Sequence, residues 1–484
     1  MKAIKHSVLA ALAASAFSGC AVGPDYQRPD LLAEAGQPDF HAADKLAAPA
    51  GDAQQSLQAG ARVSADWWTL FGSDDLNAVV ALALKNNHDL QAANAALRAA
   101  KENYAVQRAG FFPSVDAHFQ PTRQKTADPL ASAAESGDKL YSLQTAQVSI
   151  SFSPDMFGGL RRQSEAAAAQ VDFAGFQREA AELTLTSAIV LGVVQEASLR
   201  AQITTTEQLI AANTRLLDIA RKQQQIGQTG VADVAAQEAA LAQIQMTLPP
   251  LEKQLAQQRG ALNVLVGQVP GQSLPAFDLA TLHLPASLPV SLPASLLEQR
   301  PDIRAAEAQL HAASAQIGVA RAARLPALSI TGSFGSSALD MASLFKGNTG
   351  FWSIGGDLSQ PIFRGGALLH QEKAASAAYD EAAAQYRGVV LNAFQNVADS
   401  LRAIETDTRY LMLSHKNIQA SEKSLQVAQQ QWKLGMLPFA SLLQAEIGYR
   451  QSYLTHVQAQ AARYADTVAL FTSAGGGKGV PLDW

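Results

Sequence analysis

Residues 89–113 read DLQAANAALRAAKENYAVQRAGFFP, and residues 302–326 read DIRAAEAQLHAASAQIGVARAARLP. At a constant offset of 213, Asp89 falls on Asp302, Leu90 on Ile303, Leu97 on Leu310, Val106 on Val319, Arg108 on Arg321 and Pro113 on Pro326. An ungapped match of this length means two copies of one structural unit and a fold with internal pseudo-symmetry. A second block agrees: IGQTGVADVAAQE (226–238) lies over LGMLPFASLLQAE (434–446), with Gly227 on Gly435 and Glu238 on Glu446, at an offset of 208. The change of offset puts a net five-residue length difference somewhere between the two matched blocks.

Outward from the repeat, the chain divides into a signal peptide (1–19), an extended N-terminal arm (20–73), a first repeat (74–269), a connector (270–295), a second repeat (296–472) and a C-terminal tail (473–484). Lys2 and Lys5, the apolar stretch from Val8 to Phe17, and then Ser18 and Gly19 read as a secretory signal: charged start, short apolar centre, small residues at the cut. Cys20 is the only cysteine, so it makes no intramolecular disulfide. FSGC resembles a bacterial lipoprotein box with Phe17 in the usual Leu position, which implies an N-acyl and S-diacylglycerol lipid on Cys20. Ala21 and Val22 follow without the aspartate that signals inner-membrane retention, so the resemblance implies outer-membrane delivery.

Charged residues make up 16% of the chain and hydrophobic ones 48%, with a net charge of −5, and nothing in that balance suggests a nucleic-acid partner. After the N-terminus no uninterrupted apolar run approaches the roughly 18 residues of a spanning helix. Run length therefore argues against helical spans and leaves a barrel open.

Four segments alternate strictly. Val115, Ala117 and Phe119 are separated by Asp116 and His118, and Ala146, Val148, Ile150 and Phe152 by Gln147, Ser149 and Ser151. In the second copy, Leu328, Ile330 and Phe334 alternate with Ser329, Thr331 and Ser333, and Trp352, Ile354 and Leu358 with Ser353, Gly355, Asp357 and Ser359. Period two, with one apolar and one small polar face, predicts strands whose faces see different surroundings. They form two hairpins, about 113–156 and 326–361, inserted at equivalent points of the repeat.

Each hairpin leads through a Gly-Gly turn, Phe157-Gly158-Gly159 or Phe363-Arg364-Gly365-Gly366, into a stretch with no proline, Leu160 to Met246 and Gly366 to Leu437. Read as helices up to Gly227 and Gly435, these run about 65 to 70 residues, or roughly 100 Å. Return helices start near Val231 and Phe439. In the second, Tyr449, Tyr453, Val457, Ala461, Tyr464, Val468 and Phe471 mark a lengthwise packing seam. A coiled-coil rod would account for the helices but not for the hairpins.

Four strands cannot close a barrel, and an open edge in hydrocarbon leaves backbone groups unpaired at several kcal/mol each. Copies must associate; three would supply about twelve strands and leave an aqueous lumen.

AVGPDYQRP after Cys20, DWWTLFGSDDLNAVVALALKNNHDL at 66–90 and RPDIRAAEAQLHAASAQIGVARAARLP at 300–326 together resemble the outer membrane factors of tripartite efflux pumps, specifically their NodT-type lipoprotein branch. The resemblance implies an α+β membrane protein and a homotrimer. Four strands per chain would build a twelve-stranded outer-membrane β-barrel, continued by a long periplasmic α-helical barrel. Its implied partners are a periplasmic membrane-fusion adaptor and an inner-membrane transporter of the resistance-nodulation-division class.

On that reading Asp116, His118, Gln147 and Asp357 line the lumen, while Val115, Phe119, Ile150, Phe152, Ile330 and Trp352 face lipid. The helix-to-helix turns Ile226-Gly227-Gln228 and Leu434-Gly435-Met436 resemble adaptor-docking tips, with glycine allowing positive φ and close backbone approach. Family gates use polar contacts and sometimes an aspartate ring, whereas this chain has Gln429, Gln430 and Gln431 before the second tip. Gate candidates are therefore Asp218, Asp233, Gln430 and Trp432, with Lys433, Glu238 and Glu446 nearby. No enzyme reading holds: the nine histidines show no metal-ligand spacing, and GGGKG at 475–479 lacks the strand, spacing and helix of a phosphate loop. No cofactor is expected. The competing classes are a periplasmic coiled-coil scaffold and a specific porin-like barrel.

Overall fold

A computed structural model of the chain describes residues 21–29, 55–59, 63–130, 137–290 and 297–476. The signal peptide and Cys20 lie outside the described residues, as do 477–484. In chain order the elements are β1 (Ser56–Ala59), α1 (Asp74–Asn86), α2 (His88–Ala109), β2 (Ser114–Lys125), β3 (Leu140–Phe152), α3 (Gly159–Gln225), α4 (Val231–Gln245) and α5 (Leu248–Leu265). Then come β4 (Ser287–Val290), α6 (Pro301–Ala322), β5 (Ala327–Ala338), β6 (Gly350–Ser359), α7 (Ala367–Lys433) and α8 (Phe439–Ser473). A 3-10 turn at Trp67–Phe71 precedes α1. The chain forms two compact units, one of residues up to Arg28 with Leu97–Phe173 and Ala306–Tyr386, the other of Pro29–Ala96, Ala174–Ala305 and Arg387–Trp484.

The first unit carries an antiparallel sheet in the order β2-β3-β5-β6. Its pairing locates the five-residue difference. Val115 sits opposite Ile150, and its repeat equivalent Leu328 sits opposite Leu358, so the leading strands of the hairpins are offset by 213 and the trailing strands by 208. The extra residues therefore lie in the hairpin loop between Lys125 and Leu140. The 208 offset then persists: Gly158 (φ 76°) precedes α3 and Gly366 (φ 83°) precedes α7, both helices running 67 residues. In the first copy the Asp155 carboxylate accepts from the amides of Leu160 (3.0 Å) and Arg161 (2.9 Å), capping α3. Phe363 stands in the equivalent place of the second copy.

Residues 21–28 are extended as expected, but pinned. Val22 N–H donates to the Phe157 carbonyl (3.0 Å), Arg162 pairs with Asp25 (2.6 Å), Tyr26 stacks on His311 (4.5 Å), and Arg28 pairs with Glu307 (3.2 Å). Two glycines make room for this segment. A Cβ on Gly158 would lie 2.5 Å from Ala21 Cα, and one on Gly318 would lie 2.8 Å from the Val22 carbonyl oxygen.

In the second unit α1 and α2 meet at Asn87; its Oδ1 accepts from Leu90 N–H (2.9 Å) and its Nδ2 donates to Leu265 O (3.0 Å). The end of the N-terminal arm is not a loose strap. Trp67 and Phe71 are buried, Trp67 stacks on Phe471 at 5.4 Å, and β1 pairs in parallel with β4 of the connector. Arg463, 2% exposed, reaches Gln55, and Gln55 donates to Pro285 O (2.7 Å), so α8 holds arm and connector together.

Long helix α3 packs on both return segments, on α4 through Leu217, Val234 and Leu241 and on α8 through Leu216 and Leu443. The expected α8 seam is buried from Val457 to Phe471, but Tyr449 is half-buried and Tyr453 is 38% exposed. At that end the buried face runs instead through Leu442, Leu443 and Ser452. One window of α3 is apolar enough on average to cross a membrane, yet 61% of it is buried in the protein, the signature of a core helix. At the start of the tail Ser473 to Gly476 are buried, and Gly475 (φ 97°) and Gly476 (φ 63°) end α8 with bonds to Thr472 O and Phe471 O. GGGKG thus begins as a helix stop, not a phosphate loop.

Candidate channel wall and tips

Directly opposed residues in an antiparallel sheet share a face, so the pairings sort every strand residue. Val115, Ile150, Gly332 and Ile354 lie in one row, and Ala117, Val148, Phe334 and Trp352 in the next row of the same face. Phe119, Phe152 and Ile330 belong to it too. The other face carries Asp116 opposite Ser149, His118 opposite Gln147, and Asp357 opposite Ser329. All four expected lumen residues thus share one face, and all six expected lipid residues share the other. Hydroxyl pairs bridge the polar face: Ser114 with Ser151 (2.7 Å), Ser333 with Ser353 (2.7 Å) and Thr145 with Ser337 (3.1 Å). These partners satisfy hydroxyls without a core. On the apolar face Val115, Phe119, Trp352 and Ile354 are each more than half exposed in the single chain, an apolar surface that water does not favour.

The two helix-to-helix turns, residues 226–230 and 434–438, are built alike. Gly227 (φ 76°) donates to Gln224 O and Gln228 to Gln223 O; Gly435 (φ 72°) donates to Trp432 O and Met436 to Gln431 O. This paired bonding closes a helix on a left-handed residue, which glycine adopts without steric cost. The expected close approach is absent within this chain: a Cβ on Gly227 or Gly435 would meet nothing within 4 Å. Ile226, Leu434 and Met436 are largely exposed.

The gate candidates have separate local partners. The Asp233 carboxylate accepts from Gly230 N–H (3.1 Å) and starts α4. Glu238 pairs with Arg221 (2.8 Å) and Glu446 with Arg450 (2.8 Å). Trp432 packs on Phe439 at 5.3 Å, bracing the second tip. Asp218, Gln430 and Lys433 are exposed. Among the described residues no hydrogen bond, ion pair or ring contact joins any two of Asp218, Asp233, Gln430 and Trp432.

Two buried charge clusters went unread in the sequence. Glu196 of α3, fully buried, is held by Arg200 (2.9 Å) and by Arg259 of α5 (2.5 Å), whose other nitrogen donates to Leu274 O. Between α7 and α8, Arg463 lies with Asp466 and Asp407. Burial draws the Arg463 guanidinium down to about 10, opposed by the two carboxylates. Burial, and then Asp407 beside it, push Asp466 up to about 7. A spacing signal for both existed: charges at positions of otherwise apolar helix faces.

Comparison with known proteins agrees with this geometry. The outer membrane efflux protein family matches residues 79–268 and 292–476, the two copies of the repeat. The toluene efflux pump outer membrane protein TtgF of Pseudomonas putida is 29% identical over 464 residues, 96% of this chain and 95% of its own. The pyoverdine export outer membrane protein OpmQ of Pseudomonas putida is 29% identical over 439 residues, 89% of this chain and 92% of its own. Among solved structures, the outer-membrane channel OprN superposes with a TM-score of 0.80 at 27% identity, covering 95% of this chain and 99% of its own. A scaffold without a barrel and a porin without long helices are both set aside. The chain belongs to the outer membrane efflux protein family and is the outer-membrane exit duct of a tripartite efflux pump.

Proposed function

We propose that three copies of this chain close their four-stranded sheets into one twelve-stranded barrel, with Asp116, His118, Gln147 and Asp357 toward the water-filled lumen and Ile150 and Trp352 toward lipid. The observation that carries this reading is the sheet itself: one face apolar and exposed, the other hydroxyl-rich, with β2 and β6 as edges that have no further strand partner among the described residues. Inside a bilayer every backbone donor and acceptor needs a partner, so an open four-stranded sheet is untenable there and closure across copies supplies the missing bonds. Conduction through such a duct is passive. The long helices α3 and α7 would extend the conduit through the periplasm toward a membrane-fusion adaptor and an inner-membrane transporter of the resistance-nodulation-division class.

The turns at Gly227 and Gly435 are the docking tips for that adaptor in this reading, supported by their shared geometry and by the exposed Ile226, Leu434 and Met436. Cys20 would carry the N-acyl and S-diacylglycerol lipid. Residue 21, its neighbour, is held against Gly158 at the root of β3, which suits an anchor at the membrane surface. The cargo is a small molecule toxic to the cell. Relatives named for toluene efflux and for pyoverdine export are equally similar to this chain, each 29% identical, so the duct's wall is compatible with unlike cargoes and the choice rests with the pump.

Outer-membrane fractions run on gels without heating test the assembly. A heat-sensitive band at three times the chain mass supports the trimer; a monomer band alone, from cells in which the chain restores resistance to an exported compound, would sink it. Crosslinks from Gln228→Cys or Met436→Cys to a co-expressed adaptor test the tips.

A further inference from the structure

The seam inside each chain serves as a template for the seam between chains. β3 of the first hairpin pairs with β5 of the second over nine positions, from Gln144 opposite Ala338 to Phe152 opposite Ile330. β6 is the repeat equivalent of β3 at an offset of 208, and β2 is the equivalent of β5 at 213. Both β2 and β6 are edges. Resting on the proposed trimer, we infer that β6 pairs with β2 of the next copy in the transposed register, Trp352 to Gln360 opposite Lys125 to Ala117, which sets Leu358 against Phe119.

The repeat preserves each strand's facing, Val115 with Leu328 and Ile150 with Leu358, so like faces meet by construction and what the side chains add is the choice of partners. Toward the hairpin loops Trp352 meets Lys125 and Ile354 meets Arg123. Leu358 meets Phe119, a favourable aliphatic–aromatic cross-strand pair, while Asp357 meets Gln120 and Ser359 meets His118 on the polar face. A slip of one residue would put Leu358 against a polar residue and turn Asp357 toward lipid. Slips of two keep the faces but lose the best contact, since Leu358 would then oppose Ala117 or Pro121. In the inferred register Pro121, which has no N–H, falls opposite Gly356. A proline there leaves the ladder one donor short at that position.

The template has one departure. Within the chain, Gly159 sits so close to Ala322 that a Cβ on it would come within 2.9 Å of the alanine methyl. The equivalents across the seam are Ala367 and Ala109, two methyl-bearing residues. The roots of the helices must therefore stand a few tenths of an ångström further apart between copies than within one. The strand register is unaffected, because backbone pairing in the sheet does not depend on that contact.

Paired cysteines in the full-length chain, expressed in the outer membrane and oxidised before gel analysis, test the register. Phe119→Cys with Leu358→Cys is expected to give covalent dimer and trimer at least about tenfold faster than Ala117→Cys or Pro121→Cys with Leu358→Cys, given the short Cβ separation a disulfide requires. Gln120→Cys with Asp357→Cys is a second, polar-face pair that should behave like the first. Each variant is first checked for heat-sensitive trimer, so that a chain that fails to assemble is replaced by the other pair. Fastest crosslinking from residue 117 or 121 overturns the register while closure stands. No crosslink from any pair in a chain that migrates as a trimer overturns the β6–β2 seam. Absence of a trimer in the unsubstituted chain overturns the assembly on which the inference rests.

Discussion

In the first copy of the repeat a buried carboxylate, Glu196, is held by two guanidiniums; in the second a buried guanidinium, Arg463, faces two carboxylates. Both clusters tie a long helix to its return segment, Glu196 and Arg259 joining α3 to α5 and Asp407, Arg463 and Asp466 joining α7 to α8. At the 208 offset, however, Ile404 stands in for Glu196 and Thr467 for Arg259, so the two clusters arose at different positions of one scaffold. The surplus charge is settled differently in each. A surplus guanidinium cannot shed its proton near neutrality and instead donates to a backbone carbonyl, as Arg259 does to Leu274. A surplus carboxylate can be neutralised by binding a proton, and Asp466 is pushed to about 7. Pseudo-symmetry thus preserves the fastening and not its chemistry, and pH sensitivity is built into the second copy.

The largest effect should come from breaking these clusters at the centre. Arg463→Ala leaves two carboxylates without their cation and is expected to cost roughly 3–5 kcal/mol, while Glu196→Gln, which keeps a hydrogen-bonding group beside partly exposed arginines, should cost about half as much. Thermal unfolding of the detergent-extracted protein measures both; equal losses would erase the contrast. Next in size is a charge on the sheet's apolar face. Ile150→Arg and its equivalent Leu358→Arg should each lower trimer yield by an amount corresponding to about 2–4 kcal/mol, whereas Ser149→Asp on the opposite face should leave it unchanged. Similar yields from all three would mean that the faces are misassigned.

At the tips, Gly227→Ala and Gly435→Ala should each cost about 1 kcal/mol, since both glycines hold positive φ with open space around them. The two copies are expected to agree here in thermal midpoint; a gap much above that size would show that one tip carries a further load. The gentlest contrast is in pH. Because the folded Asp466 binds its proton more tightly than an unfolded aspartate, its protonated form stabilises the fold fully below about pH 4, and that contribution is lost as pH rises through about 7. The thermal midpoint should therefore fall between pH 5 and pH 8, and Asp466→Asn should flatten the slope. An unchanged slope would place the titration elsewhere. Gln258, the first-copy equivalent of Asp466, has no charge to lose.

Much of the architecture was legible because it rests on local periodicity. The starts of α4 and α8 at Val231 and Phe439, the 67-residue helices and the two faces of the hairpins follow from period, proline placement and glycine turns alone. What periodicity cannot express is partnership between distant segments. Gly158 and Gly318 look like turn residues or small packing positions until residues 21 and 22 are seen lying against them. The stretch around Trp67 lacks a repeating pattern, so it read as arm; it is core because Phe471, some four hundred residues away, supplies its stacking surface. Near the tips the same limit holds: the sequence does not show that Asp233 starts a helix through Gly230 or that Trp432 packs on Phe439.

By itself the sequence determined the duplication, the order and length of the elements and the amphipathic character of the strands. Each of these is settled by interactions among residues a few positions apart. Only the tertiary structure decided where the first copy's five extra residues sit, how the N-terminal segment is seated, and which charges are buried together. Those outcomes depend on where remote backbone and side chains come into contact, and an isolated stretch of chain carries no energy that distinguishes among them.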